Sequence, residues 1–80
     1  MTVDVLLFAS YADALGGDRL KLDLPAGASV RDLLANVRRL PGAERLPPAP
    51  MVAVNQQYAT AQHRLTTGDE VAIIPPVAGG

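Results

Sequence analysis

Few side chains in this 80-residue sequence are of types that perform acid–base chemistry. Its only histidine, His63, lies between Gln62 and Arg64, with no carboxylate at a spacing that would orient it as a general base. Asp69 and Glu70 are adjacent, and if they lead into a strand their side chains point to opposite faces. We therefore expect His63 to be a surface residue and the two acids to serve a turn and a strand edge.

Nucleophiles and metal ligands are also scarce. The absence of cysteine excludes disulfides, thiolate metal sites and a cysteine nucleophile. Ser10 leaves a predicted strand and Ser29 suits a helix cap, so neither lies in a nucleophile elbow. The run Gly16-Gly17-Asp18 lacks the spacing of a phosphate-binding loop. The sequence thus predicts no metal site and no cofactor bound by this chain.

The C-terminal run PPVAGG, residues 75–80, is the remaining candidate for chemistry. Its two prolines end the last predicted strand, so we expect a flexible tail. Residues 77–80, if extended, would reach about 13 Å, enough to enter the active site of a neighbouring protein. Gly79 and Gly80 carry no side chain, so the backbone can thread a narrow channel and present a carboxylate. A frayed end is the alternative interpretation.

Composition restricts both the fold and the partners. Apolar residues make up 49% and charged residues 19%, which predicts one soluble domain. The net charge of −1 supplies no positive field for nucleic acid or anionic lipid. The start of the chain lacks a secretory signal, and its longest apolar run is far shorter than the roughly 20 residues that span a bilayer. We expect a cytoplasmic protein with neither nucleic acid nor membrane as a partner.

The first half of the chain predicts two strands and a helix. Residues 3–9 suit a strand covered on both faces, residues 11–17 a short helical turn, and residues 20–24 a half-buried strand. Ser29 and Asp32 form a capping box before an apolar stripe of helical spacing. We expect this helix to carry Arg38 and Arg39 in its last turn, where cations complement the helix dipole, and to stop at Pro41.

The second half predicts three more strands, which together complete one sheet. Residues 41–50 suggest a rigid extended loop, followed by strands at 51–54, 58–60 and 71–74. This order predicts an α+β, ubiquitin-like β-grasp: a mixed sheet of about five strands with one main helix across one face. We expect residues 1–80 to form that single domain, with 75–80 as its tail.

An apolar patch is expected on the face of the sheet away from the helix. Phe8 and Leu6 would lie there, beside Ile74 or Ile73. Such a patch needs a cover, and a partner protein is the natural one. Tyr58 is either a second partner-facing aromatic or an ordinary half-buried sheet residue.

Four segments resemble the MoaD-type sulfur carriers, the small subunits of molybdopterin synthase within the MoaD/ThiS ubiquitin-like family. They are VLLFA at residues 5–9, SVRDLL at 29–34, Val54-Asn55, and GDEVAIIPPVAGG at 68–80. The resemblance extends over essentially the whole length, and residues 68–80 are its most specific part. One departure is Ala12-Asp13, where the family often has an Arg-Glu pair.

The resemblance implies a chemistry for the tail. An E1-like adenylyltransferase would use ATP to convert the Gly80 carboxylate to an acyl-adenylate, and a persulfide donor would then supply the sulfur of a thiocarboxylate. The charged tail, threaded through Pro76, Val77, Ala78 and Gly79, would donate sulfur to cyclic pyranopterin monophosphate and so build the dithiolene of molybdopterin.

The resemblance also implies an assembly. Two small subunits would flank a dimer of large subunits in a heterotetramer, with the catalytic residues on the large subunit. This chain would be the sulfur-donating subunit of a sulfurtransferase. Phe8, Tyr58 and Ile74 would contact both the activating enzyme and the large subunit.

Other functions share the fold and the diglycine ending. The chain could carry sulfur for thiamine thiazole synthesis, tRNA thiolation or cysteine biosynthesis. It could instead be a protein modifier that is joined through Gly80 to lysines, or a β-grasp adaptor that forms no covalent bond.

Overall fold

The structure, a computed structural model, describes residues 1–47 and 50–75. Its elements are, in chain order, β1 (Thr2–Leu7), α1 (Ala9–Leu15), β2 (Arg19–Asp23), α2 (Val30–Val37), a 3-10 turn (Ala43–Arg45), β3 (Met51–Val54), β4 (Gln57–Tyr58) and β5 (Glu70–Ile74). The predicted order of strands and main helix is confirmed. Of the predicted tail, only Pro75 belongs to the described residues.

The five strands form one mixed sheet in the order β2-β1-β5-β3-β4. The two central neighbours β1 and β5 are parallel, and the other three pairs are antiparallel. Parallel strands finish at the same end of a sheet, and Met51 at the start of β3 pairs there with Ile74. We call this end, marked by Phe8, Met51 and Ile74, the exit end, because the chain continues from it beyond residue 75.

The core lies between the inner face of the sheet and α2. Alternate strand residues point into it, and the apolar stripe of α2 meets them. The fully buried members are Val3, Val5, Leu7, Val30, Leu33, Val37, Val71 and Ile73. Because Ile73 belongs to the core, Ile74 is the isoleucine that lies on the outer face.

β1 ends at Leu7, two residues earlier than the predicted strand. Ala9 adopts a φ of 48°, which turns the chain out of the sheet and into α1. Ala9, the last residue of the predicted strand, is instead exposed at the start of the helix. The expected strand at residues 58–60 is also displaced, since β4 spans Gln57–Tyr58.

The capping box of α2 is confirmed. The backbone N–H of Asp32 donates to Ser29 Oγ at 3.3 Å, and the N–H of Ser29 donates back to Asp32 Oδ2 at 2.9 Å. These bonds lower the pKa of Asp32, with the backbone N–H of Ser29 as the largest cause.

No helix within residues 1–47 and 50–75 has the length and apolar character that crossing a membrane requires.

The predicted end of α2 is wrong. The helix finishes at Val37 with Arg38 as its C-cap, so neither Arg38 nor Arg39 lies in its last turn. The N–H groups of Arg39 and Leu40 bond three residues back, to Asn36 and Val37, which tightens the chain before Pro41. The Arg38 guanidinium instead donates a hydrogen bond to the carbonyl of Pro47, which links the end of α2 to the loop that follows it.

The loop after α2 is not extended as expected. Residues 43–45 form a 3-10 turn that buries Ala43 and Leu46, whose spacing of three residues places them on one side of such a turn. Gly42 has a φ of 91°, and a Cβ at this position would collide with the carbonyl oxygen of Ala14 in α1. The loop therefore packs closely against α1.

Candidate protein-binding face

A row of apolar side chains crosses the outer face of the sheet. The strand register places Leu6 opposite Ala72, Ala72 opposite Ala53, and Ala53 opposite Tyr58. Phe8 and Ile74 join these four residues around a shallow cleft of about 340 Å³. We call the set, with Met51 beside Ile74, the outer apolar face: Leu6, Phe8, Met51, Ala53, Tyr58, Ala72 and Ile74.

The largest members of the outer apolar face are exposed. Phe8 is 47% exposed, Met51 50% and Tyr58 73%. Exposed apolar side chains that cluster on a small domain mark a binding site for another molecule. At 73% exposure, Tyr58 is not the half-buried sheet residue of the alternative interpretation, and its contact with a partner stays a prediction.

The structure thus brings together Phe8, Tyr58 and Ile74, the three residues expected to contact partners. Sequence reasoning missed Met51, which was assigned only to an apolar strand. The period of two would have placed Met51 on the same face as Ala53, but its position opposite Ile74 depends on a strand register that the sequence does not state.

A tight turn positions Tyr58. Asn55 and Gln56 have φ values of 50° and 71°, the pair of positive angles that a two-residue hairpin turn of type I′ requires. The side chain of Asn55 accepts a hydrogen bond from the N–H of Glu70 at 3.0 Å and donates one to Asp69 Oδ1 at 2.9 Å. The hairpin that carries Tyr58 is therefore fixed to the start of the central strand β5.

Asp69 completes this polar cluster. It is 9% exposed and accepts hydrogen bonds from the backbone N–H of Thr66 at 2.8 Å and from Thr66 Oγ1 at 3.1 Å. The Thr66 N–H is the main cause that lowers the pKa of Asp69; burial opposes it, and the Asn55 and Thr66 side chains and His63 assist. Glu70 points to the opposite side and lines the outer cleft. The turn role predicted for Asp69 is confirmed, whereas the edge role is wrong for Glu70, because β5 lies in the middle of the sheet.

The described residues provide a surface rather than a catalytic constellation. His63 is exposed, as expected, and Ser29 is engaged in the cap of α2. Within residues 1–47 and 50–75, no group of three His, Cys, Asp or Glu side chains could hold a metal ion. A larger cavity of about 500 Å³ between α2 and β3 contains Arg31 and Arg38 but no predicted site residue.

The predicted tail residues Pro76, Val77, Ala78, Gly79 and Gly80 lie outside the described residues. Their threading role and the attachment of sulfur at Gly80 therefore stay predictions. Pro75 directly follows Ile74, so the chain leaves the sheet next to the outer apolar face.

The strand order, the single capped helix across the inner face and the exposed outer face define a ubiquitin-like β-grasp protein. Comparison with known families shows which family of this fold the chain belongs to. The chain belongs to the ThiS family, whose model matches residues 5–80.

Full-length relatives carry a more specific name. A protein from Chlamydomonas reinhardtii described as "Molybdopterin synthase sulfur carrier subunit" is 37% identical, over 100% of both chains. A protein of the same description from Arabidopsis thaliana is 34% identical, over 98% of this chain and 82% of its own.

Solved structures agree with the fold. The crystal structure of SAMP1 from Haloferax volcanii matches with a TM-score of 0.86 and 30% identity, over 100% of both chains. A complex of subunits 1 and 2 of molybdopterin-converting factor from Helicobacter pylori contains a chain that matches with a TM-score of 0.74, over 100% of both chains. At 21% identity this second likeness shows the fold alone.

The lowered pKa of Asp69 makes its contribution to stability dependent on pH. A carboxyl group whose pKa is lower in the folded state stabilises the fold when ionised, and this stabilisation is lost as the pH falls through the folded-state pKa. Asp69→Asn replaces one of the two acceptor oxygens that bond Thr66 and Asn55 with an NH2 donor, so we expect it to lower the free energy of unfolding by about 1–3 kcal/mol at neutral pH. Urea unfolding should show that the deficit shrinks as the pH falls below the ordinary value of 3.8.

Asp13→Asn is the matched control, because Asp13 is exposed on α1. It should leave stability within about 0.5 kcal/mol of the wild type at neutral pH, as surface substitutions usually do. A deficit for Asp69→Asn that is constant from neutral pH to below 3.8 would contradict the charge-dependent role.

Proposed function

We propose that this chain is the sulfur carrier subunit of a molybdopterin synthase and acts in molybdenum cofactor biosynthesis. The full-length relatives with that description support the assignment. The structural observation that carries it is the position of the outer apolar face, which lies at the exit end beside the residue that precedes the tail. A protein that delivers its own terminus to a partner needs a docking surface next to that terminus.

The chemistry of the tail follows from the properties of a carboxylate. A carboxylate resists nucleophilic attack, so Gly80 must first be activated; an E1-like adenylyltransferase transfers AMP from ATP to it. The outer sulfur of a persulfide donor displaces AMP to give an acyl disulfide. A thiol then cleaves the S–S bond, which releases the thiocarboxylate and leaves a disulfide on the donor. This chain holds no cofactor, and ATP is used by the activating enzyme.

The large subunit provides the catalytic groups. The charged tail enters its active site through Pro76, Val77, Ala78 and Gly79, whose small or compact side chains suit a narrow channel. The thiocarboxylate sulfur displaces an oxygen substituent of cyclic pyranopterin monophosphate, and water then hydrolyses the resulting thioester and restores the Gly80 carboxylate. Two such transfers form the dithiolene of molybdopterin. Two small subunits serve a dimer of large subunits.

The outer apolar face is the docking surface in this proposal. Phe8, Tyr58 and Ile74 contact the large subunit, and the same residues contact the activating enzyme. Ala12 borders the surface, since it lines a second cleft with Phe8. Its small side chain stands where the family often has the Arg of an Arg-Glu pair, so the contact that this Arg would make is missing at position 12.

Protein modification is the second candidate function. The likeness to SAMP1 favours it, since a second crystal structure from Haloferax volcanii that resembles this chain is described as that of "small archaeal modifier protein 1". Both functions require an activated Gly80, but they differ in what attacks it. A carrier gives up sulfur to a small molecule, whereas a modifier is joined to a lysine amine.

Phe8→Ala tests the docking surface. We expect the affinity for the large subunit, measured by isothermal titration calorimetry, to fall by about tenfold or more, as for other apolar anchors at interfaces. Because Phe8 is 47% exposed, the free energy of unfolding should change by less than about 1 kcal/mol. His63→Ala, on an exposed loop beside α2, is the control and should bind normally. An unchanged affinity for Phe8→Ala would show that the docking surface lies elsewhere.

Deletion of Gly80 tests the assigned function. The outer apolar face is intact in this variant, so we expect it to bind the large subunit while forming no molybdopterin. The measurement combines the chain with the E1-like enzyme, ATP, a persulfide donor, a thiol reductant, the large subunit and cyclic pyranopterin monophosphate. Thr67→Ala, in an exposed turn, is the control and should retain synthesis.

Two results would contradict the assignment. Molybdopterin formation by the truncated chain would show that sulfur is not carried at Gly80. Failure of the full chain to support synthesis, together with recovery of Gly80 joined to lysines, would favour the modifier function.

A further inference from the structure

We propose that Ala9 is a positioning residue for the outer apolar face, because its left-handed backbone fixes Phe8 in the orientation that meets the partner. This inference rests on the proposed function, which assigns Phe8 to the docking surface. It concerns a residue that lines the second cleft together with Phe8 and Ala12 but has no partner contact assigned to it.

The backbone of Ala9 is unusual for its residue type. Its φ of 48° lies in the left-handed region, where the Cβ of an L-residue approaches the following carbonyl oxygen. Among the described residues, the other non-glycine positions with positive φ are Asn55 and Gln56, which form a hairpin turn suited to such angles. Alanine has no polar side chain to form a compensating local hydrogen bond, so the surrounding structure must hold Ala9 in place.

The chain on the N-terminal side of Ala9 is fixed by the sheet. Leu7 lies opposite Ile73 in the parallel pair, and its N–H donates to the carbonyl of Asp18 at 2.9 Å. Phe8 remains extended, with φ −127° and ψ 151°. Strand alternation therefore directs its side chain to the same face as Leu6.

The chain on the C-terminal side is fixed by α1. The carbonyl of Phe8 accepts hydrogen bonds from the N–H groups of Tyr11 at 3.0 Å and Ala12 at 3.4 Å. Tyr11 is 4% exposed, so its side chain anchors this first turn in the core. Phe8 is thus held from both directions, and Ala9 is the single residue between the extended backbone and the turn of helix.

The positive φ at Ala9 allows the chain to stay attached to the sheet on one side and to α1 on the other. An extended Phe8 and a helix whose first N–H groups return to the Phe8 carbonyl require a sharp reversal within one residue. A right-handed Ala9 would send α1 in another direction, and either the Tyr11 anchor or the orientation of Phe8 would be lost. With this reversal in place, Phe8 is exposed at the exit end.

Two substitutions of comparable size separate the backbone angle from the added volume. Asn adopts the left-handed region more readily than other chiral residues, whereas a β-branched Val strongly resists it. Ala9 is exposed, so either side chain has room in the solvent. Each substitution is made in the wild type and in Phe8→Ala, and urea unfolding is used to confirm that all variants are folded.

We expect Ala9→Val to weaken binding of the large subunit by about tenfold. A loss of this size lies within the range of interaction energies that double-mutant cycles give for neighbouring residues. Ala9→Asn should bind within about twofold of the wild type. In the Phe8→Ala background, Ala9→Val should change the affinity by less than about twofold, because the side chain that it displaces is already absent. A structural role unconnected with Phe8 would give the same loss in both backgrounds.

The outcomes separate this inference from the proposed function. If Phe8→Ala weakens binding but Ala9→Val does not, or if Ala9→Val weakens binding equally in both backgrounds, the positioning role is wrong while the docking surface stands. If Phe8→Ala does not weaken binding, the docking surface itself is wrong, and the role of Ala9 is overturned with it.

Discussion

The parallel pairing of β1 with β5 is the constraint on which the rest of the molecule depends. It joins the first and last strands at the centre of the sheet and makes both finish at one end. Phe8 and Ile74 meet there because each lies at or just beyond the end of its strand. The chain also leaves the sheet at that point, so the outer apolar face lies beside Pro75, the residue that precedes the tail.

This arrangement divides the task between subunits. A chain without cysteine supplies no sulfur nucleophile, and the described residues present a binding surface rather than a catalytic site. In the proposed function, activation and transfer are performed by the partners, whose active sites receive the tail. In the proposed function one apolar surface serves both partners, so the carrier has to leave the activating enzyme before it docks on the large subunit.

The sequence predicted the features that depend on local chemistry. The Ser29–Asp32 cap, the buried stripe of α2 and the outward position of Phe8 follow from hydrogen-bonding groups and periodicity. Features set by tertiary contacts were missed. The early end of α2 depends on how the chain tightens before Pro41, and the place of Met51 depends on its register with Ile74. The reversal at Ala9 was missed because alanine rarely adopts a positive φ.

The central claim is that the backbone carboxyl of Gly80 carries the sulfur. The most direct test is the intact mass of the chain after incubation with the E1-like adenylyltransferase, ATP, a persulfide donor and a thiol reductant, with fragmentation to locate any change. The account predicts a mass increase equal to the replacement of one oxygen by one sulfur, confined to Gly80. An unchanged mass, or sulfur attached to any other residue, would contradict it.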